Sequence, residues 1–270
     1  KELGSNDIVS TRTLLHEAIP LTGTIVSGTY NAGTTEFNIK NYSHGMFQSV
    51  YDYPYLSSSA NHIFDITIGV SPNTALTVTS QQSKKQNIYN QMAQVLMGYD
   101  KDGNILKFDK DGDLIETGGK INDAIFVSFS RLLVKDEIKK GSFSMELGVA
   151  TSYATPNTAK ATIKDFGAAT SYKVNSPAGE YGILYMSNSA GSNRVHGKNM
   201  VTANGVANIV PCGLIYYQAG IAVLTSSMFE GGNGLLSSSV EWNAVGGIPI
   251  TASMTGYPIS ASADYLRHRI

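Results

Sequence analysis

Charge is scarce in this sequence. Only 15% of its 270 residues are Asp, Glu, Lys or Arg, against about 25% in an ordinary globular chain. The 20 basic and 21 acidic residues leave a net charge of −1, and Lys and Arg never run more than two together. A nucleic-acid partner needs a basic footprint, so none is expected. Cysteine is nearly missing. Cys212 stands alone, which rules out an intramolecular disulfide and the disulfide-rich secreted class. Its neighbours Ile209, Val210, Pro211, Gly213, Leu214 and Ile215 offer no positive group to activate a thiol, so Cys212 reads as a buried packing residue. Long apolar runs are missing too. No stretch approaches the ~18 residues of a membrane span, and the opening KELGSNDIVSTRTL carries no signal-peptide hydrophobic region. The start at Lys1 in place of Met reads as a processed or partial product.

What is present is glycine, at 27 residues, with 15 tyrosines and many Ser, Thr and Asn. A surface built from these is uncharged and adhesive. Cys212 to Leu224, CGLIYYQAGIAVL, consists of two β-branched and aromatic runs broken at Ala219-Gly220, a buried β-hairpin signature. Strands are also expected over 20–30, at Phe37 to Ile39, over Ile125 to Phe129 and, by strict alternation, over Ser142 to Leu147. Ser57 to Ser59 are expected to cap a short helix carrying Ile63, Phe64 and Ile66. The clearest helix is 83–97, with Ile88, Met92, Val95 and Leu96 as its apolar stripe, Lys84 and Lys85 on the wet face, and Gly98 as its stop. DKDG occurs at Asp100 and again at Asp109, so Asn104 to Phe108 and Leu114 to Thr117 read as strands joined by tight turns. The chain is thus mainly β, with a β-sandwich-type core, one amphipathic helix and minor α+β elements. It divides into an N-terminal region, 1–124, and a second β region, 125–270. No hydrophilic linker demands the cut, so a single domain is the alternative.

The inventory of chemistry is thin. There is no G-x-S-x-G, H-E-x-x-H or C-x-x-C, and no G-x-G-x-x-G opening a helix. Gly191 to Lys198 has the wrong glycine spacing for a phosphate loop, and Asn199 stands where Ser or Thr is required. His62 and Asp65 share a spacing that could bring a serine of 57–59 to them, although a capping serine and a hydrogen-bonded histidine are the plainer reading. The weak metal candidates are Asp109, Asp111 and Asp113, the first three oxygen positions of a calcium loop. The obligatory glycine there is Leu114 and the closing glutamate is Lys120, which favours a plain acidic turn. No metal, cofactor or catalytic residue is assigned. Phe47, Tyr51, Tyr53 and Tyr55 around Pro54, with the single tryptophan Trp242, are instead candidate interface residues, because tyrosine offers contact area with few rotamers to freeze; an internal aromatic core is the equal alternative for the 47–55 cluster.

Three segments carry a resemblance: FSRLLVKDEIKKGSFSMELG at 129–148, KDFGAA at 164–169, and the hairpin CGLIYYQAGIAVL. They resemble a recurrent pattern in virion structural proteins of large tailed bacteriophages, and NYSHGMFQSVYDYPYLSSSANHIFDIT looks like tail or baseplate material. Asp165-Phe166-Gly167 departs from that pattern, since Ala168-Ala169 follow where a second glycine is usual. The resemblance implies a non-catalytic subunit located in the virion after synthesis in the host cytoplasm, partnered by other virion proteins and copies of itself. The alternative is a receptor- or carbohydrate-binding fibre module, in which Trp242 and the tyrosines would stack on sugars.

Overall fold

The computed structural model describes residues 38–56, 58, 60–112, 118–130, 137–195, 200–231, 234–241 and 254–270. The strands expected over 20–30 and 114–117 lie outside these residues, as do Asp113, Trp242 and the end of the would-be phosphate loop, 196–199. Ten antiparallel strands form one sheet: β1 (Ile39–Asn41), β2 (Gln48–Tyr51), β3 (His62–Val70), β4 (Asp123–Phe129), β5 (Ser144–Gly148), β6 (Lys160–Lys164), β7 (Tyr181–Asn188), β8 (Val201–Ala203), β9 (Val206–Tyr216) and β10 (Ile221–Thr225). Their spatial order is β1-β2-β3-β4-β10-β9-β7-β6-β5, with β8 paired to β9 alone. The mainly β reading holds, and the core fills both faces of this single sheet. Strand β4 spans the junction at 124/125 and pairs with β3 on one side and β10 on the other.

Period-two alternation assigns the faces. Phe64, Ile66, Ile68 and Val70 of β3 point to one side with Ile125 and Val127 of β4, Ala222 and Leu224 of β10, and Ile163 of β6. Phe126, Leu214 and Val223 point to the other. The helix expected at Ile63 to Ile66 is therefore a strand. Alternate β-branched and aromatic residues here face a continuous sheet, and that burial outweighs any serine cap. The hairpin is found as expected: Ile221 pairs with Tyr216 and Leu224 with Gly213. Its turn needs Gly220 at φ 67°, where a Cβ is strained.

Helix α1 (Gln82–Leu96) covers one face on a line that overlaps the expected stripe at Leu96 and, with Ile88 and Met92 packed half-buried beside it, departs from that stripe only at Val95. Its buried line is Lys85, Tyr89, Ala93 and Leu96, whereas Val95 is 64% exposed. The helix lies so close to β3 that a Cβ on Gly69 would fall 2.8 Å from the Tyr89 backbone nitrogen. Tyr89 donates to the Ile121 carbonyl at 2.6 Å and packs edge-on against Phe108, centroids 5.5 Å apart. Lys85 is fully buried because its ammonium donates to the carbonyls of Met254 (2.7 Å) and Tyr257 (2.8 Å). Burial lowers its pKa to about 8. Hydrophobicity alone had put Lys85 in water; two aimed carbonyls reverse that. The strand expected over Asn104 to Phe108 is reduced to isolated pairings, Tyr99 with Ile105 and Asp109 with Lys120.

The opposite face is filled by helix α3 (Ile259–Arg267), through Ile259, Ala263 and Leu266. A short helix α2 (Ala168–Ser171) precedes it in the chain. Gln48 of β2 donates to Asp264 at 3.2 Å, while the Gly148 amide of β5 donates to the Arg269 carbonyl at 2.7 Å. Seven inter-strand steps separate β2 from β5, roughly 34 Å on a flat sheet, whereas residues 264 to 269 of a helix span roughly 8 Å. The sheet must therefore coil around α3 until its two ends approach.

Candidate interaction surface

Helix α1 packs on β3, and at the β2 end of the sheet aromatic and polar side chains cover Ser49, which is buried. On β2 Val50 points inward and is fully buried, so its neighbours Ser49 and Tyr51 point outward. A register shift between Val50 and Tyr51 re-aims that tyrosine against His62, centroids 5.4 Å apart. Tyr55 lies 6.2 Å from Tyr51. A second group, formed by Tyr42, His44 and Phe47, has mutual centroid distances of 4.7 to 5.2 Å. The Lys40 ammonium sits 4.9 Å over the Tyr42 ring, a cation–π contact.

Between the two groups runs a polar chain. Tyr42 hydroxyl meets Ser49 Oγ at 3.1 Å, Ser49 Oγ donates to Asp65 Oδ1 at 2.5 Å, and His62 Nε2 meets the same oxygen at 2.8 Å. Burial works to raise the Asp65 carboxyl, and the hydrogen bonds from His62 and Ser49 outweigh it, so its pKa lies below the ordinary value. Burial and the neighbouring Tyr42 raise Tyr51. The serine found with His62 and Asp65 is thus Ser49, while of the expected 57–59 both Ser57 and Ser59 lie outside the described residues. Its hydroxyl donates to the carboxylate, and the carboxylate stands between serine and histidine. In a nucleophilic triad the histidine stands between them, so this order fixes a surface and leaves Ser49 without a base.

The loop between β2 and β3 displays the rest. Buried Asp52 accepts from the Asn61 amide at 2.6 Å and from its side chain at 2.8 Å, tying the loop's ends together. Tyr53 is then 44%, Tyr55 37% and Leu56 85% exposed. Of the expected interface residues, Phe47, Tyr51, Tyr53 and Tyr55 share this one surface, and Trp242 lies outside the described residues. Ser49, Asp52 and His44 were missed. The alternation in QSVY was the available signal for Ser49; for Asp52 there was none.

The three segments of the resemblance also meet. Buried Asp165 Oδ2 accepts from the Gly141 amide at 2.7 Å and from the Tyr217 hydroxyl at 3.1 Å. Burial raises the Asp165 carboxyl despite these bonds, and raises Tyr217 as well. Cys212 is fully buried and its thiol is pushed up by desolvation, out of the reactive range. Asp109 Oδ2 accepts the Lys120 ammonium at 2.9 Å, and among the described residues no three His, Cys, Asp or Glu side chains gather as metal ligands. No described helix is long and apolar enough to cross a membrane. Compared with known protein families, curated proteins and solved structures, the chain matches none.

Proposed function

We propose that this chain is a structural subunit of a tailed-bacteriophage virion, in the tail or baseplate, that works by docking to other virion proteins and to copies of itself without catalysis. The observation that carries the docking is the exposed Tyr53–Tyr55–Leu56 display, held by the Asp52–Asn61 tie beside β2 and β1, the latter an edge strand among the described residues. Exposed aromatic area on a constrained loop associates at low entropic cost, and a surface poor in charge does little to protect such an edge. The placement in a virion is supported by the resemblance of segments 129–148, 164–169 and 212–224, which converge on Asp165.

Replacing Tyr53, Tyr55 and Leu56 together by Ser is expected to lower incorporation into particles at least tenfold while leaving the melting temperature within a few degrees of the parent. Particles that incorporate the variant normally would overturn the docking role. A second reading, glycan recognition, is favoured by Asp65, an ionised acceptor 34% exposed within a frame of aromatic rings. It requires saturable binding to a glycan panel that Asp65→Asn weakens, and absence of such binding removes it.

A further inference from the structure

The residues after α3 do more than end a helix. Asp264, at its centre, is bound to β2 through Gln48, and Arg267 Nε also donates to Gln48 Oε1 at 3.3 Å. Two residues on, Arg269 reaches the far end of the same sheet. Its carbonyl accepts the Gly148 amide, and its guanidinium donates to the carbonyls of Gly148 (3.1 Å), Ala150 (2.9 Å) and Glu241 (2.6 Å). Between the two lies His268, 8% exposed, stacked on Tyr153 with centroids 4.4 Å apart. Its Nε2 lies 2.9 Å from the Tyr153 carbonyl, so that nitrogen carries a hydrogen and donates.

We propose that residues 264 to 270 form an acid-released clasp, which at neutral pH holds the β2 and β5 ends of the coiled sheet together and which protonation of His268 frees from β5 while the rest of the sheet stays folded. The charged surroundings oppose a proton there. The buried guanidiniums of Arg267 and Arg269 flank His268 in the chain, and Arg194 adds positive charge around Arg269. The offsetting carboxylate, Asp264, is already bonded to Arg267 at 2.6 Å. Tyr153 and Tyr265, with rings 5.5 Å apart, bring no negative charge at neutral pH, and the Glu241 carboxylate bears on Arg269. Burial first, and then the two arginines, lower the imidazole pKa, against the Tyr153 carbonyl and Asp264, which raise it. A histidine held neutral in the folded state confers stability that is complete above its unfolded pKa of about 6.5 and is lost as pH falls below it. Arg269 contributes no such switch in this range, since its pKa, lowered by burial to about 10, keeps it charged.

The Gly148 amide reports the closed clasp directly, because its acceptor is Arg269. Amide hydrogen exchange, corrected for intrinsic rate, is expected to show Gly148 protection falling up to tenfold per pH unit below about 6.5, while Leu214 and Val223 in the central hairpin keep theirs. His268→Gln, which retains a donor for Tyr153 but cannot be charged, is expected to hold Gly148 protection constant from pH 7.5 to 5.5. Protection independent of pH in the parent, loss shared equally by the hairpin amides, or the same acid loss in His268→Gln each overturns the clasp. Should His268→Gln fail to fold, NMR titration of the parent imidazole decides: a midpoint below about 6.5 supports the clasp, and one at or above it overturns it.

Discussion

Asp100-Lys101-Asp102-Gly103 and Asp109-Lys110-Asp111-Gly112 are the same four residues in the same order, yet one is on the surface and the other is part of the core. In the first, Asp100 caps its own turn, accepting from the amides of Asp102 (2.9 Å) and Asn104 (2.8 Å) and from the Asn104 side chain (3.0 Å). Lys101 turns to adjacent Asp102, both largely in solvent. In the second, Asp109 also accepts from the amide two residues on, at 3.2 Å. Its other oxygen, however, takes the ammonium of Lys120, eleven residues away, in a pair whose side chains are 9% and 0% exposed. A Cβ on Gly103 would meet nothing within 4 Å, whereas one on Gly112 would meet Ile183 and Lys173.

The difference begins one residue upstream. Tyr99 is 51% exposed, while Phe108 is fully buried against Tyr89, Phe126 and Tyr216 at 5.5, 5.7 and 6.4 Å. Docking Phe108 under α1 carries Asp109 down with it, and a buried carboxylate then requires a counter-charge. Lys120 supplies it from the position that a calcium loop reserves for glutamate. The bond from the first Asp to the amide two residues on thus belongs to the tetrapeptide, and the depth of the segment belongs to the neighbouring ring.

The largest expected break in this comparison is at that ring. Phe108→Ala should cost about 4 kcal/mol in urea unfolding, from lost burial and a cavity between helix and sheet, and Tyr99→Ala about 0.5 kcal/mol or less. Equal losses would dissolve the distinction between the turns. Next comes the carboxylate. Asp109→Ala should cost about 3 kcal/mol, because it strands Lys120 beside the core, and the added change Lys120→Met should recover most of it; Asp100→Ala should cost far less. The smallest effect is on the acid limb of stability. Burial works to raise the Asp109 carboxyl, but hydrogen bonds with Asp111 and Lys120 outweigh it and lower its pKa. The stability this confers is complete above the unfolded value of about 3.9 and is lost as pH falls through the folded one. Asp109→Asn should therefore flatten that limb of a pH–stability curve, and an unchanged limb would mean that the ion pair does not set it.

How much of this was legible follows from how far each signal reaches along the chain. The hairpin, β4 and β5 were readable because alternation and turn chemistry act over a few residues. Helix α1 was readable as a helix with Ile88, Met92 and Leu96 toward the core, but not with Lys85 on its buried line, since Lys85 is buried by carbonyls at 254 and 257 that no local pattern announces. Segment 62–66 was misread because His62 to Ile66 fits both periods when seen alone, and only pairing with β2 and β4 selects the strand. The aromatic cluster at 47–55 was visible as composition. Whether it faced core or solvent was not, because that depends on the neighbours that the fold brings to it.

By itself the sequence determined the β-rich class, the turns at Gly220 and at Asp100 to Gly103, the inert character of Cys212, and the poverty of charge. These rest on backbone preference and on the chemistry of near neighbours. Only the tertiary structure decided which of the two DKDG segments is buried, that Lys85 joins the line of α1 that faces the sheet, that Ser49 completes the His62–Asp65 group, and that residues 264–270 join the two ends of a coiled sheet. Burial and electrostatic pairing are set by groups brought together from distant parts of the chain, and their free energies exceed the small local preferences that a sequence displays.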